Sequence, residues 1–166
     1  MTELESLTAF ITANLPERAM QMFQSSTEDC EIIRSNKALG LGQIRIGVLR
    51  YTATLSWDNF PYRECSPGLV YSLVLVWMAE HANALRGELE FPDPTVDPEY
   101  DDEGTCIIQV AVVVADEIIL KPSDTGAVPW KGKRWDLVYP DIWTATSGRL
   151  YAASANGAPL GGDRED

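Results

Sequence analysis

The sequence predicts an α+β domain, with a mostly antiparallel or mixed sheet of long strands packed against one long helix and a short N-terminal helix. Three runs of residues lead to this prediction: a strand-like run at 44–57, a helix-like run at 67–86 and a β-branched run at 105–120. Because strands and helices do not alternate strictly, a doubly wound parallel sheet is not expected. The composition is that of a folded globular chain, since 45 % of the 166 residues are hydrophobic and 23 % are charged.

A short amphipathic helix is predicted over residues 2–14. Its apolar stripe, at helical spacing, consists of Leu4, Leu7, Ile11 and Leu15. Thr2 and Glu5 stand three residues apart, as in a capping box, where each side chain satisfies a free backbone N–H at the helix start. Pro16 then ends the helix, because the residue before a proline is pushed out of the helical conformation.

A short strand at 29–35, a glycine-containing turn at 35–43 and a long strand at 44–57 are predicted next. In the long strand the hydrophobic residues change parity beside Gly47, which predicts a β-bulge there. This strand would span about 48 Å, whereas a domain of this size is about 35 Å across. The strand is therefore expected to project beyond its own core and to offer an edge to partners.

The helix predicted over 67–86 has a typical start, with Ser66 as N-cap and Pro67 in the first position. Gly87 can supply its left-handed C-terminal cap. The apolar face of this helix is broad, so we expect a sheet on one side and a further neighbour beside it. His81 is interpreted as a structural residue at the edge of the core, because no nucleophile stands in a catalytic arrangement with it.

An acidic segment follows at 88–104, in which residues 89–91 are predicted to form a short strand and residues 92–104 a loop. Its acids occur without any intervening base: Glu88, Glu90, Asp93, Asp97, Glu99, Asp101, Asp102 and Glu103. An EF-hand loop starting at Asp97 would lack the glycine at its sixth position and the glutamate at its twelfth. A solvated loop is the favoured interpretation, and a weak divalent-ion site is the alternative.

The run at 105–120 is apolar on both parities, which predicts a strand covered on both faces. We predict a core domain at 1–120 and an irregular C-terminal arm at 121–166, whose last dozen residues, 155–166, are loose. The arm contains three tryptophans, Trp130, Trp135 and Trp143. Large aromatic residues are rare in disordered tails, so we expect them to dock, either on the parent domain or on a neighbour.

Charge and composition argue against several classes of function. The formal net charge is −12 and the longest basic cluster is Lys131–Arg134, so neither a nucleic acid nor an anionic membrane is expected as a partner. There is no run of 18 apolar residues and no secretory signal at the acidic N-terminus. One histidine and three scattered cysteines have no metal-ligand spacing. We therefore predict reduced thiols in a cytoplasm, with no metal, no cofactor and no catalytic residue.

The order of motifs resembles a known family. An N-terminal helix ending near a proline is followed by the strand Arg-Tyr-Thr-Ala-Thr-Leu-Ser-Trp at 50–57 and by a helix with a central tryptophan, Trp77, in Val-Leu-Val-Trp-Met. The strand Asp-Glu-Ile-Ile-Leu and then Trp-Asp-Leu and Asp-Ile-Trp complete the series. Over about residues 3–145 the chain resembles the R-type tail completion proteins of P2-like contractile-tailed bacteriophages, with the acidic stretch 92–104 departing from the family pattern.

The resemblance implies a structural protein of phage or prophage morphogenesis without enzymatic activity. It would complete or terminate the tail tube and help to form the head–tail joint as a homohexameric ring, in the host bacterial cytoplasm and then in the virion tail. Its partners would be its own copies, the tail tube and other tail or head-joining proteins. The interface candidates are large aromatic residues: Tyr51, Trp57, Trp130, Trp135 and Trp143. The alternative is a small cytoplasmic enzyme, or a divalent-ion or ligand-binding module, that uses the acidic segment 88–104.

Overall fold

A six-stranded sheet runs through residues 1–139, the part of the chain that the computed structural model describes. Its strands are β1 (Phe23–Gly40), β2 (Gln43–Phe60), β3 (Thr95–Tyr100), β4 (Cys106–Pro122), β5 (Val128–Trp130) and β6 (Lys133–Leu137). All their pairings are antiparallel. β1 forms one edge, β2 and β4 form the centre, and β3 and β6 pair with the other side of β4 at opposite ends.

The fold class predicted from the sequence is wrong, because within residues 1–139 strands dominate and the sheet is accompanied by short helices rather than by one long helix. Strands hold 48 % of the described residues and helices 25 %, and the sheet curves into a half-barrel. The helices are α1 (Glu3–Asn14), a 3-10 turn (Glu17–Met20), α2 (Pro67–Glu80) and α3 (Leu85–Leu89).

The predicted long helix is divided into α2 and α3 by the contacts of Asn83. The Asn83 side-chain amide donates to the carbonyl of Ala115 on β4 at 2.9 Å, and its oxygen accepts from the N–H of Leu85 at 3.1 Å. These bonds draw the chain towards the sheet, so α2 ends at Glu80 and helix resumes only for a short stretch.

Several local signals at the helix ends are confirmed. The capping box of Thr2 and Glu5 is present at the start of α1. The Ser66 hydroxyl accepts from the N–H of Gly68 at 3.1 Å, which starts α2. His81 is the C-cap of α2, and its ring centroid lies 5.0 Å from that of Phe10.

β1 is far longer than the strand predicted at 29–35. Almost every residue of its 18 is exposed, and its sequence is mostly polar. An edge strand exposed to water does not need alternating hydrophobic and polar residues. The sequence therefore contains no period-2 pattern that would have revealed the full length of β1. Asp29, with a φ of 54°, sits at a bulge that interrupts the pairing between Glu28 and Glu31.

β3 lies within the stretch predicted as a loop. It pairs with the first residues of β4 and contains Pro98, which is tolerated because β3 has no neighbour on its outer side within the described residues. The turn from β3 to β4 is organised by Asp101, whose carboxylate accepts from the N–H groups of Glu103 and Thr105 at 2.8 and 3.0 Å. No strand forms at 89–91, because Leu89 closes α3 and Glu90 is left-handed.

The main hydrophobic core lies between α1, α2 and one face of β2 and β4. The cross-strand pairs in it are Tyr51–Val114, Ala53–Val112, Leu55–Val110 and Trp57–Ile108. The bulge predicted beside Gly47 is confirmed by a register shift between Arg45 and Gly47. A smaller cluster of Val48, Leu85 and Ala115 lies on the opposite face, where α3 covers the sheet.

Part of the segment 121–166 is continuous with the sheet, because β5 pairs with β6 and β6 with β4. Trp135 on β6 is buried, and its indole N–H donates to the carbonyl of Trp130 at 2.8 Å. The sequence left open whether the tryptophans pack on their own domain or on a neighbour, and Trp135 packs on its own domain. Trp143 and residues 155–166 lie outside the described residues.

Candidate interaction surfaces

The structure encloses most of the aromatic residues that the sequence suggested as interface candidates. Tyr51, Trp57 and Trp135 are buried within the chain itself. Trp130 is half-buried, and the Lys131 ammonium lies 4.7 Å from its ring centroid. Among the described candidates, Trp130 is therefore the one that a partner can reach, and its role at an interface stays a prediction.

A buried polar network holds the start of α1 on the sheet. The Tyr51 hydroxyl donates to Asp116 Oδ2 at 2.7 Å and accepts from the Leu4 N–H at 3.1 Å. Asp116 Oδ1 accepts from the Glu3 N–H at 2.8 Å, and the Glu3 carboxylate accepts from the Asn83 N–H at 3.2 Å. Burial raises the pKa of Glu3 to about 7; the Asn83 N–H opposes this shift and the charge of Asp116 adds to it. We interpret this network as a structural anchor.

Replacing Glu3 with glutamine is expected to remove a pH-dependent loss of stability. The unfolded carboxyl has a pKa of 4.5 and the folded one about 7, so the folded protein binds the proton more tightly. Its contribution to stability is full below the lower value and is lost as pH rises through the upper one. At about pH 8, Glu3→Gln should be more stable than wild type by about 3 kcal/mol, a difference that disappears at about pH 4. Urea titrations at both pH values test this, and parallel pH profiles would contradict it.

A second polar cluster joins four elements around Arg45, which is 3 % exposed. Its guanidinium donates to Ser35 Oγ of β1 at 2.7 Å, to Glu88 of α3 at 2.8 Å and to Glu117 of β4 at 3.1 Å. Burial lowers the pKa of Arg45, but the hydrogen bonds to both carboxylates outweigh it and the pKa is raised overall. The hydrogen bond that Arg45 donates to Glu88 lowers the pKa of the Glu88 carboxyl. The cluster ties β1, β2, β4 and α3 together.

The acids of segment 88–104 do not converge in the structure. Glu88 is paired with Arg45, and Asp101 holds its own turn, which lowers the pKa of its carboxyl. The others are exposed along β3, its turn and the connection before it: Glu90, Asp93, Asp97, Glu99, Asp102 and Glu103. Within residues 1–139, no three His, Cys, Asp or Glu side chains are grouped as metal ligands would be.

The outward face of α2 is apolar and uncharged. From Pro67 to Ala79 the helix has no charged residue, and its inward face is buried through Val70, Val74 and Trp77. Its outward side chains include Leu75, which is 58 % exposed. Leu69 and Val76, seven residues apart and therefore on one face, are also exposed. The broad apolar face predicted for this helix thus meets the sheet and α1, and within residues 1–139 the side that carries Leu75 is left exposed.

Leu41 is an exposed apolar residue that the sequence analysis did not single out. It lies in the turn between β1 and β2, is 98 % exposed and has a φ of 55° between Gly40 and Gly42, which are also left-handed. The sequence identified the glycines as turn chemistry, and that is confirmed. The missed signal was a leucine where the turn itself favours glycine or asparagine.

Comparison with known proteins adds the identity of the chain. Residues 1–139 match the family described as P2 phage tail completion protein R (GpR). The chain belongs to this GpR family. A relative from Haemophilus phage HP1 (strain HP1c1), a 19.2 kDa protein of the rep-hol intergenic region, is 22 % identical over 141 residues, which cover 85 % of this chain and 84 % of the relative. No solved structure matches.

Membership of the GpR family confirms the resemblance found in the sequence. The role of a GpR protein is phage tail completion, which belongs to tail morphogenesis and brings the protein into contact with other tail proteins. Such a protein acts at the phage tail. Within the described residues, none of the helices combines the length and the apolar composition needed to cross a bilayer.

Proposed function

We propose that this GpR protein forms a six-membered homo-oligomeric ring that completes the tail tube and helps to form the joint to the head. The ring assembles in the host bacterial cytoplasm, from a phage or prophage gene, and remains in the virion tail. Its work is the burial of surfaces between subunits and against neighbouring tail proteins, with no catalytic step.

The observation that supports this proposal is the outward face of α2. In a chain with a net charge of −12, a surface without acids lets another protein pack closely without adding to the charge repulsion. The uncharged stretch from Pro67 to Ala79 is such a surface, and the exposure of Leu75 has no use in a solitary subunit. We assign this face to the contact with the neighbouring protein of the tail.

A phage that lacks its own copy of the gene and receives it in trans provides the test. Leu75→Glu places a charge in the uncharged face without touching the core, so the protein should fold and melt as wild type does. The titre of infectious phage should fall about tenfold or more, because the contact would bury a carboxylate without a partner, and a loss of about 1.4 kcal/mol in binding is tenfold in affinity. Electron microscopy should show unjoined heads and tails.

Met22→Glu is the matched control, since it puts the same charge on an exposed apolar side chain outside α2. Its titre should remain close to wild type. A Leu75→Glu titre equal to that of the control would contradict the assignment of the α2 face.

A further inference from the structure

Charge is segregated along the strands of the sheet. The turn between β1 and β2 lies at the same end as the β5–β6 hairpin, because Ile44 and Leu137 both pair with Leu120 of β4. We call this the hairpin end and define it as residues 34–45 and 121–136. β3 and its turn to β4 lie at the opposite end of β4, and we call residues 95–107 the acidic hairpin.

The hairpin end is basic. Its exposed basic side chains are Arg34, Lys37, Lys121, Lys131, Lys133 and Arg134. Against them stand the acids Asp124 and Asp136. Within residues 1–139 these six side chains take part in no salt bridge, so their charge is available to a partner.

The hairpin end also exposes apolar surface. An open cleft of about 250 Å³, large enough for one aromatic side chain, is lined by Asn36, Ile46, Leu120, Val128, Pro129 and Trp130. The β1–β2 turn at the same end of the sheet carries Leu41, which combines almost complete exposure with a left-handed backbone. Both features are unfavourable for an isolated subunit, and a contact that buries Leu41 accounts for its presence.

The acidic hairpin has the complementary character. No lysine or arginine occurs from Gly87 to Leu120, and Arg63, which lies against the turn at Gly104, is outnumbered by the exposed acids of the hairpin: Asp97, Glu99, Asp101, Asp102 and Glu103. Among these acids stand exposed apolar side chains: Val96, Ile107 and Tyr100, which is 55 % exposed. Each copy therefore carries a basic surface with an apolar cleft at one end and an acidic surface with an aromatic side chain at the other.

We propose that the hairpin end of one copy binds the acidic hairpin of the next copy, head to tail. This contact rests on the proposed ring and names the two different patches that a closed ring needs. Opposite charges bring the two ends together in one orientation, and like ends repel. A second copy fits better than a nucleic acid, because phosphates would leave Leu41 and the apolar cleft unused.

Two charge reversals test the contact in the full-length chain. Lys121→Glu with Lys133→Glu reverses the hairpin end at positions of ordinary backbone conformation. Asp102→Lys with Glu103→Lys reverses the acidic hairpin and spares Asp101, whose carboxylate holds the turn. Each double variant alone should associate with itself at least about tenfold more weakly than wild type, seen as a fall in mass by light scattering. A one-to-one mixture of the two should recover the wild-type mass. When the two variants alternate, the reversed hairpin end of one meets the reversed acidic hairpin of the other, and native ends meet native ends.

Leu41→Asn tests the apolar part of the contact separately. Asparagine tolerates the left-handed conformation, so thermal stability should be kept or raised while the oligomer mass falls.

Each outcome decides the proposal. If both charge variants have the oligomer mass of wild type, this contact is wrong, but the proposed ring is not contradicted. A monomeric wild type would overturn the ring itself. Duplex DNA bound by wild type and released by the lysine reversals, at unchanged oligomer mass, would overturn the choice of a second copy.

Discussion

Replacing Arg45 with alanine is expected to lower the free energy of unfolding by about 3 kcal/mol. Breaking a buried ion pair from one side typically costs about 3–5 kcal/mol. The lower figure applies here, because the side chains of Glu88 and Glu117 are 41 % and 36 % exposed and can recover water once the guanidinium is gone. The loss comprises three hydrogen bonds and the packing of the arginine stem between four elements.

Arg50→Ala is the matched control for this prediction. Arg50 lies on the same strand and forms a single ion pair with Glu31 at 2.9 Å, and both side chains are substantially exposed. Exposed pairs contribute about 0–1 kcal/mol, so the cost should stay within that range. Urea unfolding of the two variants measures the difference. Equal costs would mean that the Arg45 cluster does not join the elements as described.

Replacing Trp77 with alanine should cost about 3–5 kcal/mol of unfolding free energy, which is the usual range for a large aromatic residue removed from a core. Trp77 is fully buried in the last turn of α2, and its indole N–H donates to Ser6 Oγ of α1 at 2.9 Å. The substitution therefore removes both the packing of α2 on the sheet and its bond to α1.

The two buried tryptophans allow the hydrogen bond to be measured apart from the packing. The indole N–H of Trp57 is buried without a partner among the described residues, whereas that of Trp77 is bonded. Trp77→Phe loses a bond and leaves Ser6 unpaired, while Trp57→Phe loses only volume and an unpaired donor. Trp77→Phe should therefore be the more costly by about 1 kcal/mol. Thermal or urea unfolding of both variants checks this, and the reverse order would contradict it.

Short-range features of the fold were readable from the sequence. The capping box of Thr2 and Glu5, the N-cap Ser66 and the bulge beside Gly47 each depend on residues a few positions apart, and all three are present. In these cases local chemistry and the final structure agree, as expected for a foldable sequence.

Longer-range features were not readable. α2 ends early because Asn83 bonds to Ala115, which lies 32 residues further along the chain. β1 and β3 lie at the edges of the sheet, where polar residues and Pro98 are compatible with a strand and no hydrophobic period is needed. The predicted fold class failed for this reason, because the edge strands add much of the sheet.

The surface features divide in the same way. The uncharged run of α2 is visible in the sequence, and so is the acidic run of 88–104. The basic hairpin end is not, because residues 34–45 and 121–136 come together only through the pairing of β2, β4 and β6. The aromatic residues chosen as interface candidates illustrate the limit: size and hydrophobicity are equally typical of core and interface, and Tyr51, Trp57 and Trp135 are in the core.

Assembly into a ring is the central claim, and the mass of the full-length protein in solution tests it most directly. Light scattering over a range of concentrations at moderate salt should give a single oligomer of six 18.4 kDa chains. Because charged ends contribute to the contact, its stability should fall as salt is raised. A particle of 18.4 kDa at every concentration and salt would contradict the account.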